Sequence, residues 1–222
     1  MWTLYRHTKG MHYIKIATAL HSESCEPMEV YRTLYDNEMA PVWARPHEMF
    51  HEEVAPGQKR FTPVGVLRVA APEDAARCLA CGYDTWGEGV PFDQYVADYI
   101  ESKNHLRGTR YLLEDIDGGV VATLNTLRFA QGLIGIAAVA VDPAKRGQGY
   151  GSLLVRGVME LFRCEDSRVR FALFSEIDPA MYERLGFKRA PDEFQFHLPS
   201  VAMISGEALC APGDGEIFRE YF

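Results

Sequence analysis

The pattern of hydrophobic and polar positions changes character near residue 64. Before it, the chain reads as short strands between turns, as in Val30-Tyr31-Arg32-Thr33-Leu34-Tyr35, which is rich in β-branched and aromatic residues. The segment APGQKRFTP, residues 55–63, concentrates turn residues and marks the expected boundary. We therefore expect a small β-rich domain over residues 1–63 and a larger domain over residues 64–222.

Helical and strand patterns alternate in the larger domain. A mixed order of β-α-α-β-β-β-α-β-α-β, with an antiparallel meander before the late alternation, predicts an α/β (α+β) fold with a mixed sheet. The expected strands are 64–70, the two segments flanking Asp117-Gly118-Gly119, 132–141, 168–175 and one or two strands within 193–204; the expected helices begin at Pro72, at Phe92, after the glycine-rich loop and at Asp178.

Charge and hydropathy exclude several classes of partner. A net charge of −8 argues against nucleic acid as the main partner. No apolar run approaches the roughly 18 residues of a membrane span, and the opening MWTLYRHTKG lacks the plan of a signal peptide. We expect a cytoplasmic protein that binds neither nucleic acid nor membrane.

Cysteine usage points the same way. Five cysteines are an odd count, which suits a reducing compartment. Cys78 and Cys81 have CxxC spacing without a second pair, so they are either thiols packed on a helix or a redox or metal site. We favour packed thiols and expect no metal in the chain.

The stretch VDPAKRGQGYGSLL, residues 141–154, carries the clearest chemical signal. Three glycines at alternate positions follow an arginine and precede a helical pattern, and bare amides at a helix N-terminus form an anion site. A Walker loop would need a lysine before Ser152, and a dinucleotide fingerprint would need GxGxxG spacing early in a βαβ unit. A phosphate site of another kind and a plain tight turn both remain open at this point.

With its surroundings, the loop resembles that of a known family. Arg146-x-x-Gly149-x-Gly151 behind a strand, with MYERLGF about thirty residues later, resembles the acyl-CoA loop of the GNAT N-acetyltransferase superfamily. The resemblance covers residues 64 to about 204 and implies acetyl-CoA as the acyl donor. It implies that the pyrophosphate is held by Arg146, Gly147, Gln148, Gly149, Tyr150, Gly151 and Ser152, and the pantetheine arm by the backbone of Val139 and Val141.

The same resemblance assigns roles to two further residues. Tyr182 would be the general acid that protonates the departing thiolate, whereas on its own it reads as a packed aromatic. Many members of the family steer the amine proton with a glutamate on the strand before the loop, but LIGIAAVAV contains no acid. Glu176 is the nearest alternative and reads equally well as a solvated loop residue. Asp84, Glu88 and Asp93 are further candidates for holding an acceptor.

The N-terminal segment resembles a small bacterial domain family of unknown function, through YRHxKG, HSE, VYxxLY and WxRPxxMF across residues 3–61. The resemblance brings no activity with it. His7, His21, Glu23 and Arg45 are expected either to satisfy backbone groups or to converge on a polar pocket or metal.

These observations predict an acetyl-CoA-dependent N-acetyltransferase that acts on a primary amine of a small molecule or amino acid, by direct attack in a ternary complex. TWGEGVPFDQYV and LFSEIDPAMYERLGF are also similar to fungal lysine N-acetyltransferases, which favours a free amine. The alternatives are an acyl-CoA sensor with little turnover and a protein lysine or N-terminal acetyltransferase. The sequence names neither the acceptor nor the oligomeric state, and a homodimer stays open.

Overall fold

The chain divides into two compact units. The computed structural model describes residues 1–206 and 214–222. The first unit comprises Met1–Arg68 with Leu113–Gly119, and the second comprises Val69–Leu112 with Val120–Phe222. The boundary expected between residues 63 and 64 falls inside a strand that runs over Phe61–Val69.

The first unit is built on an antiparallel sheet, as the β-rich pattern predicts. Its elements are β1 (Trp2–His7), β2 (His12–Leu20), β3 (Pro27–Thr33), β4 (Val42–Pro46), the short helix α1 (His47–His51), the hairpin of β5 (Glu53–Ala55) and β6 (Gln58–Lys59), and β7 (Phe61–Val69). The strand order in the sheet is β7-β1-β2-β3-β4.

Aromatic side chains form the core of this unit. Tyr13, Tyr31, Phe50 and Phe61 are buried together, and the rings of Phe50 and Phe61 stack at 4.1 Å. Phe50 lies on α1, so burial of this one ring fixes the helix against the sheet.

The second unit combines helices with a mixed sheet. Its elements are α2 (Ala75–Ala80), α3 (Tyr83–Trp86), α4 (Phe92–Ile100), α5 (Lys103–Arg107), β8 (Thr109–Glu114), β9 (Val120–Arg128), β10 (Leu133–Val141), α6 (Tyr150–Glu165), β11 (Arg170–Ser175), α7 (Ala180–Glu183), β12 (Lys188–Arg189), β13 (Val201–Ser205) and α8 (Asp214–Arg219). The strand order is β12-β13-β11-β10-β9-β8. Strands β10 and β11 are parallel, and the β9–β10, β11–β13 and β12–β13 pairs are antiparallel. The predicted fold class is therefore confirmed.

The long helix α6 packs on the sheet through an apolar stripe. Leu154, Val155, Val158, Leu161 and Phe162 are buried and recur at helical spacing. At the first turn, a Cβ on residue 151 would lie 3.2 Å from Cγ2 of Val141. A glycine at this position therefore lets the start of α6 approach the end of β10 closely.

Of the one or two strands expected within residues 193–204, one forms. Asp192–Phe194 make a 3₁₀ turn, and Val201–Ser205 pair in the sheet. The Gln195 side chain donates to the carbonyls of Ala190 and Ala202 and accepts from the amide of Ala202. Its amide group thus makes hydrogen bonds that a strand backbone would otherwise make.

Candidate functional site

The parallel pair β10 and β11 separates part of the way along its length. Leu133, Ile134 and Gly135 pair with Arg170, Phe171 and Ala172, and the ladder ends there. Each strand nevertheless continues, β10 to Val141 and β11 to Ser175. Across this gap, the facing edges of the two strand ends pair with no other strand in the described part of the chain.

A β-bulge interrupts β10 on its other side. The register with β9 shifts between Ala137 and Ala140, and Ala138 has a φ of +48°. Val139 lies inside this bulge, so its backbone is free of the regular ladder on both sides. Val141 is again paired with Ala122 of β9. Of the two residues that the resemblance assigns to the pantetheine arm, Val139 has the more accessible backbone.

The glycine-rich loop joins β10 to α6. Gly147 and Gly149 have φ values of +74° and +85°, which favour glycine, and a Cβ on either would meet no atom within 4 Å. The bare loop is therefore open on its outer side. Leu153 N is the first amide of α6 to reach a backbone acceptor, the carbonyl of Gly149 at 3.0 Å. The amides of Tyr150, Gly151 and Ser152 are thus left for another acceptor, as at any helix start.

The side chain of Arg146 is hydrogen-bonded to groups of β10, α3 and the turn before α3. Its guanidinium forms a bidentate ion pair with Asp84 of α3, with both N–O distances 2.7 Å. It also donates to the carbonyls of Val141 and Cys81, at 3.1 and 3.2 Å. The hydrogen bond from Arg146 holds the pKa of the exposed Asp84 carboxyl below its usual value. The side chain therefore ties the loop to β10 and α3.

Tyr182 lies on α7 with its ring buried. Asp178 Oδ1 accepts from the amide of Ala180 and so begins the helix, and Gly186 ends it with a φ of +85°. Burial, followed by the negative charge of Glu176, raises the pKa of Tyr182 to about 12. Among the described residues, no side chain or carbonyl is hydrogen-bonded to this hydroxyl. It is a neutral O–H donor with no partner of its own.

Glu176 follows β11 and is engaged by a residue near the end of the chain. The hydroxyl of Tyr221 donates to its Oε1, and the Tyr221 oxygen lies 3.2 Å from the hydroxyl of Ser200. The Tyr221 ring packs on Phe174 of β11, with centroids 5.0 Å apart. Tyr221 therefore positions the Glu176 carboxylate beside the end of the strand, a role that the sequence did not suggest.

A narrow cleft adjoins the bulge of β10. It has a volume of about 10 Å³, which is room for about one water molecule, and it is lined by Ala138, Ala140 and Thr123 from the sheet and by Leu79 of α2. Aromatic residues of α3 and α4 form its other wall, and Arg110 of β8 reaches into it; the wall residues are Trp86, Tyr95 and Tyr99.

Arg110 is a buried cation in the wall of this cleft and is only 9% exposed. Nη1 donates to Thr123 Oγ1 at 3.0 Å and Nη2 donates to the Tyr99 hydroxyl, and the guanidinium lies 4.8 Å from the Tyr99 ring centroid. Within residues 1–206 and 214–222, no carboxylate forms an ion pair with it. A buried guanidinium without a counter-ion is costly, so this arrangement suits an anionic ligand.

The remaining candidates differ in burial. Cys78 and Cys81 are buried, and Cys78 lies in the wall of the cleft. Burial raises the pKa of the Cys81 thiol to about 11. The thiols are thus packed, as favoured. Glu88 and Asp93 are exposed and do not line the cleft.

In the first unit, two residues of the suggested polar pocket make local contacts. His21 accepts from the amide of Ser24 in the turn after β2. Arg45 donates to the Tyr31 hydroxyl at 3.3 Å. No helix in the described part of the chain has the length and apolar character needed to cross a bilayer.

Comparison with known proteins identifies families for two segments. Residues 3–63 match the family described as "Protein of unknown function (DUF1653)", and residues 107–189 match "Acetyltransferase (GNAT) domain". A search of curated proteins finds no match to the chain.

Solved structures share the fold. One is a GNAT family N-acetyltransferase (YhbS) from Escherichia coli in complex with CoA, with 21% identity, a TM-score of 0.51, and coverage of 65% of this chain and 82% of that one. Another is a spermidine N-acetyltransferase SpeG chimera from Vibrio cholerae and hSSAT, with 12% identity, a TM-score of 0.51, and coverage of 64% and 95%. Residues 107–189 thus match the acetyltransferase (GNAT) family, and residues 3–63 match a family of unknown function.

Proposed function

We propose that the chain transfers the acetyl group of acetyl-CoA directly to the primary amine of a small molecule, in a ternary complex. The observation that carries the proposal is the gap between β10 and β11, with the bare amides of the loop directly behind β10. An extended thioester arm can pair with the freed β10 backbone, while its pyrophosphate accepts from the amides at the start of α6.

The loop has the shape that this ligand requires. The outer sides of Gly147 and Gly149 are open, and a Cβ there would occupy the space that a phosphate needs to approach the amides. Tyr150, Gly151 and Ser152 present the N-terminal amides of α6, whose dipole favours negative charge. Arg146 supports the site by holding the loop in place through Asp84.

Proton transfer completes the reaction. The amine lone pair attacks the thioester carbonyl, the C–N bond forms as the C–S bond breaks, and the sulfur must leave with a proton. Tyr182 has an unpartnered hydroxyl and a pKa of about 12, so it carries a proton at neutral pH and can supply it. Glu176, oriented by Tyr221, is the candidate to accept the proton that the amine loses.

We place the acceptor beside the bulge, where Ala138 and Ala140 line the cleft next to the backbone of Val139. The cleft has a volume of about 10 Å³, so its walls must move apart to admit the acceptor. Arg110 supplies a buried positive charge there without an acidic partner among the described residues. We infer that the preferred acceptor carries a carboxylate or another anionic group as well as its amine, as an amino acid does.

Thiol release from acetyl-CoA tests the proposal. Full-length protein is assayed with pairs of amines that differ only in an anionic group, for example an amino acid and its carboxamide. Faster release with the anionic member of each pair is the expected result. Acetyl-CoA binding without release by any amine would favour the sensor, and release with protein substrates alone would favour a protein acetyltransferase.

A further inference from the structure

A buried carboxylate in the first unit meets two histidines. Glu29 of β3 is 1% exposed. Its Oε1 lies 2.8 Å from Nδ1 of His47 and 3.3 Å from Nε2 of His51. The two imidazole rings are 4.5 Å apart. Three groups of the kinds that bind transition metals thus converge on one point, with each ligand atom within 4.8 Å of the others.

Secondary structure explains this convergence. Glu29 pairs with Arg45 across β3 and β4, and β4 ends at Pro46, immediately before His47. His47 and His51 are four residues apart on α1, so they occupy the same face. The buried ring of Phe50 holds α1 against the sheet, which directs that face at Glu29.

A second layer orients the carboxylate. Lys15 Nζ lies 2.6 Å from Oε2 of Glu29, and Thr18 Oγ1 donates to the same oxygen at 3.2 Å. One oxygen of Glu29 is therefore engaged by Lys15 and Thr18, and the other is directed at the two histidines.

We propose that Glu29, His47 and His51 form a binding site for one divalent transition-metal ion such as Zn²⁺. Tetrahedral zinc with bonds of about 2.0–2.2 Å places its ligand atoms roughly 3.3–3.5 Å apart. The contact from Glu29 to His51 already has this spacing at 3.3 Å, and the contact to His47, at 2.8 Å, needs to open by only a few tenths of an ångström. The histidine side chains are 48% and 40% exposed. Solvent can therefore reach the ion and complete its coordination.

The sequence of α1 also matches the HExxH motif of zinc peptidases, since it reads His47-Glu48-Met49-Phe50-His51. In those enzymes the glutamate activates a water molecule. Here the helix is one turn long and His47 offers Nδ1 to the cluster. The structure assigns metal binding to this cluster and no hydrolysis.

Titration of full-length, tag-free protein with Co²⁺ and Zn²⁺ tests the site. The cysteines are alkylated first, because Cys25 and Cys164 are exposed thiols. We expect one equivalent of Co²⁺ to bind with a visible d–d spectrum free of thiolate charge transfer, and Zn²⁺ to displace it. His47→Gln and His51→Gln should each weaken binding at least about tenfold, since each removes a direct ligand. His21→Gln, a matched change in a turn of the same unit, should leave it unchanged.

Lys15→Gln provides an independent check. It keeps all three ligands but removes a group that orients the carboxylate, so binding should weaken even though no direct ligand is lost. A circular dichroism spectrum for each variant confirms that it is folded. Failure of the folded wild type to bind either metal up to millimolar concentration would overturn the proposal. So would a metal that binds equally well to the His47→Gln, His51→Gln double variant, because that ion would lie elsewhere.

Discussion

Arg146 and Asp84 hold the glycine-rich loop to α3 through two parallel hydrogen bonds of 2.7 Å. Both residues are about half exposed, so the pair acts mainly by fixing geometry. If the pair positions the loop, Asp84→Asn and Arg146→Gln should each weaken acetyl-CoA binding a few-fold, and the double variant should be little worse than either. Calorimetric Kd values for the four proteins form the double-mutant cycle. Tighter binding in Asp84→Asn would instead show that Arg146, once released, reaches the phosphates directly.

The loop should reject negative charge at residue 149. Gly149→Asp places a carboxylate among amides that otherwise receive phosphate, and we expect loss of measurable acetyl-CoA binding. Gly149→Asn is the matched control, because asparagine has the same shape and both residues tolerate a φ near +85° better than most. The asparagine variant also carries a Cβ, so its affinity should fall, but it should stay measurable because no negative charge is added. A Kd for acetyl-CoA equal to that of the wild type in a folded Gly149→Asp variant would show that the phosphates bind elsewhere.

Tyr182 should matter for turnover and not for affinity. Loss of a general acid costs about 100- to 10,000-fold, so Tyr182→Phe should lower kcat by that range while the Kd for acetyl-CoA stays constant. Because the pKa of Tyr182 is raised to about 12, its proton is retained below that pH, and the wild-type rate should show no fall from this residue up to pH 10. Phe187, which packs edge-on to Tyr182, offers a control as Phe187→Leu. If kcat of the Tyr182→Phe variant stays within about twofold of the wild-type value, Tyr182 only packs in the core and is not the general acid.

Arg110 should set the preference for an anionic acceptor. Arg110→Gln removes the buried charge, and kcat/KM for anionic amines should fall on the order of 10- to 100-fold, as expected for a lost charge-assisted pair. The uncharged member of each amine pair should be affected far less. Arg168→Gln, in an exposed turn, is the control substitution. An equal fall in kcat/KM for both kinds of amine would mean that Arg110 stabilises the cleft and does not bind the anionic group of the acceptor.

Glu176 and Tyr221 should act together on the amine proton. Glu176→Gln should depress kcat/KM most at low pH, where the amine is most protonated. Tyr221→Phe leaves the carboxylate in place but removes its hydrogen-bond donor, so it should shift the same pH–rate profile by a smaller amount. Unchanged profiles in both variants would assign amine deprotonation to bulk water.

Local signals carried the sequence predictions that the structure bears out. The hairpin at Asp117-Gly118-Gly119 joins two predicted strands, and Gly118 has a φ of +81°. The conformation of such a turn depends on only a few neighbouring residues, so the sequence predicts it well. The mixed sheet was predicted in the same way, from the order of adjacent helices and strands.

Contacts between distant residues could not be predicted in this way. Arg146 and Asp84 are 62 positions apart, and only the fold brings them together. The i, i+4 spacing of His47 and His51 is visible in the sequence. Glu29, however, lies on β3, 18 residues before His47, and nothing in the sequence distinguishes it from the other acidic residues. Arg110 stands before an apolar run, Tyr111-Leu112-Leu113, which was a signal of burial that the sequence interpretation did not use.

The left-handed backbone of Ala138 lowers the stability of the second unit and keeps part of β10 available to a ligand. A residue with a Cβ at a φ of +48° costs on the order of 1–3 kcal/mol relative to a regular strand. A straightened β10 would recover that energy and would also return the Val139 backbone to its neighbour. The protein thus holds this strand in a less stable arrangement at rest, and a ligand that pairs with it meets hydrogen-bonding groups that are already separated. Selection for thermal stability alone should therefore favour sequences that regularise β10, and such sequences should lose affinity for the acyl donor first.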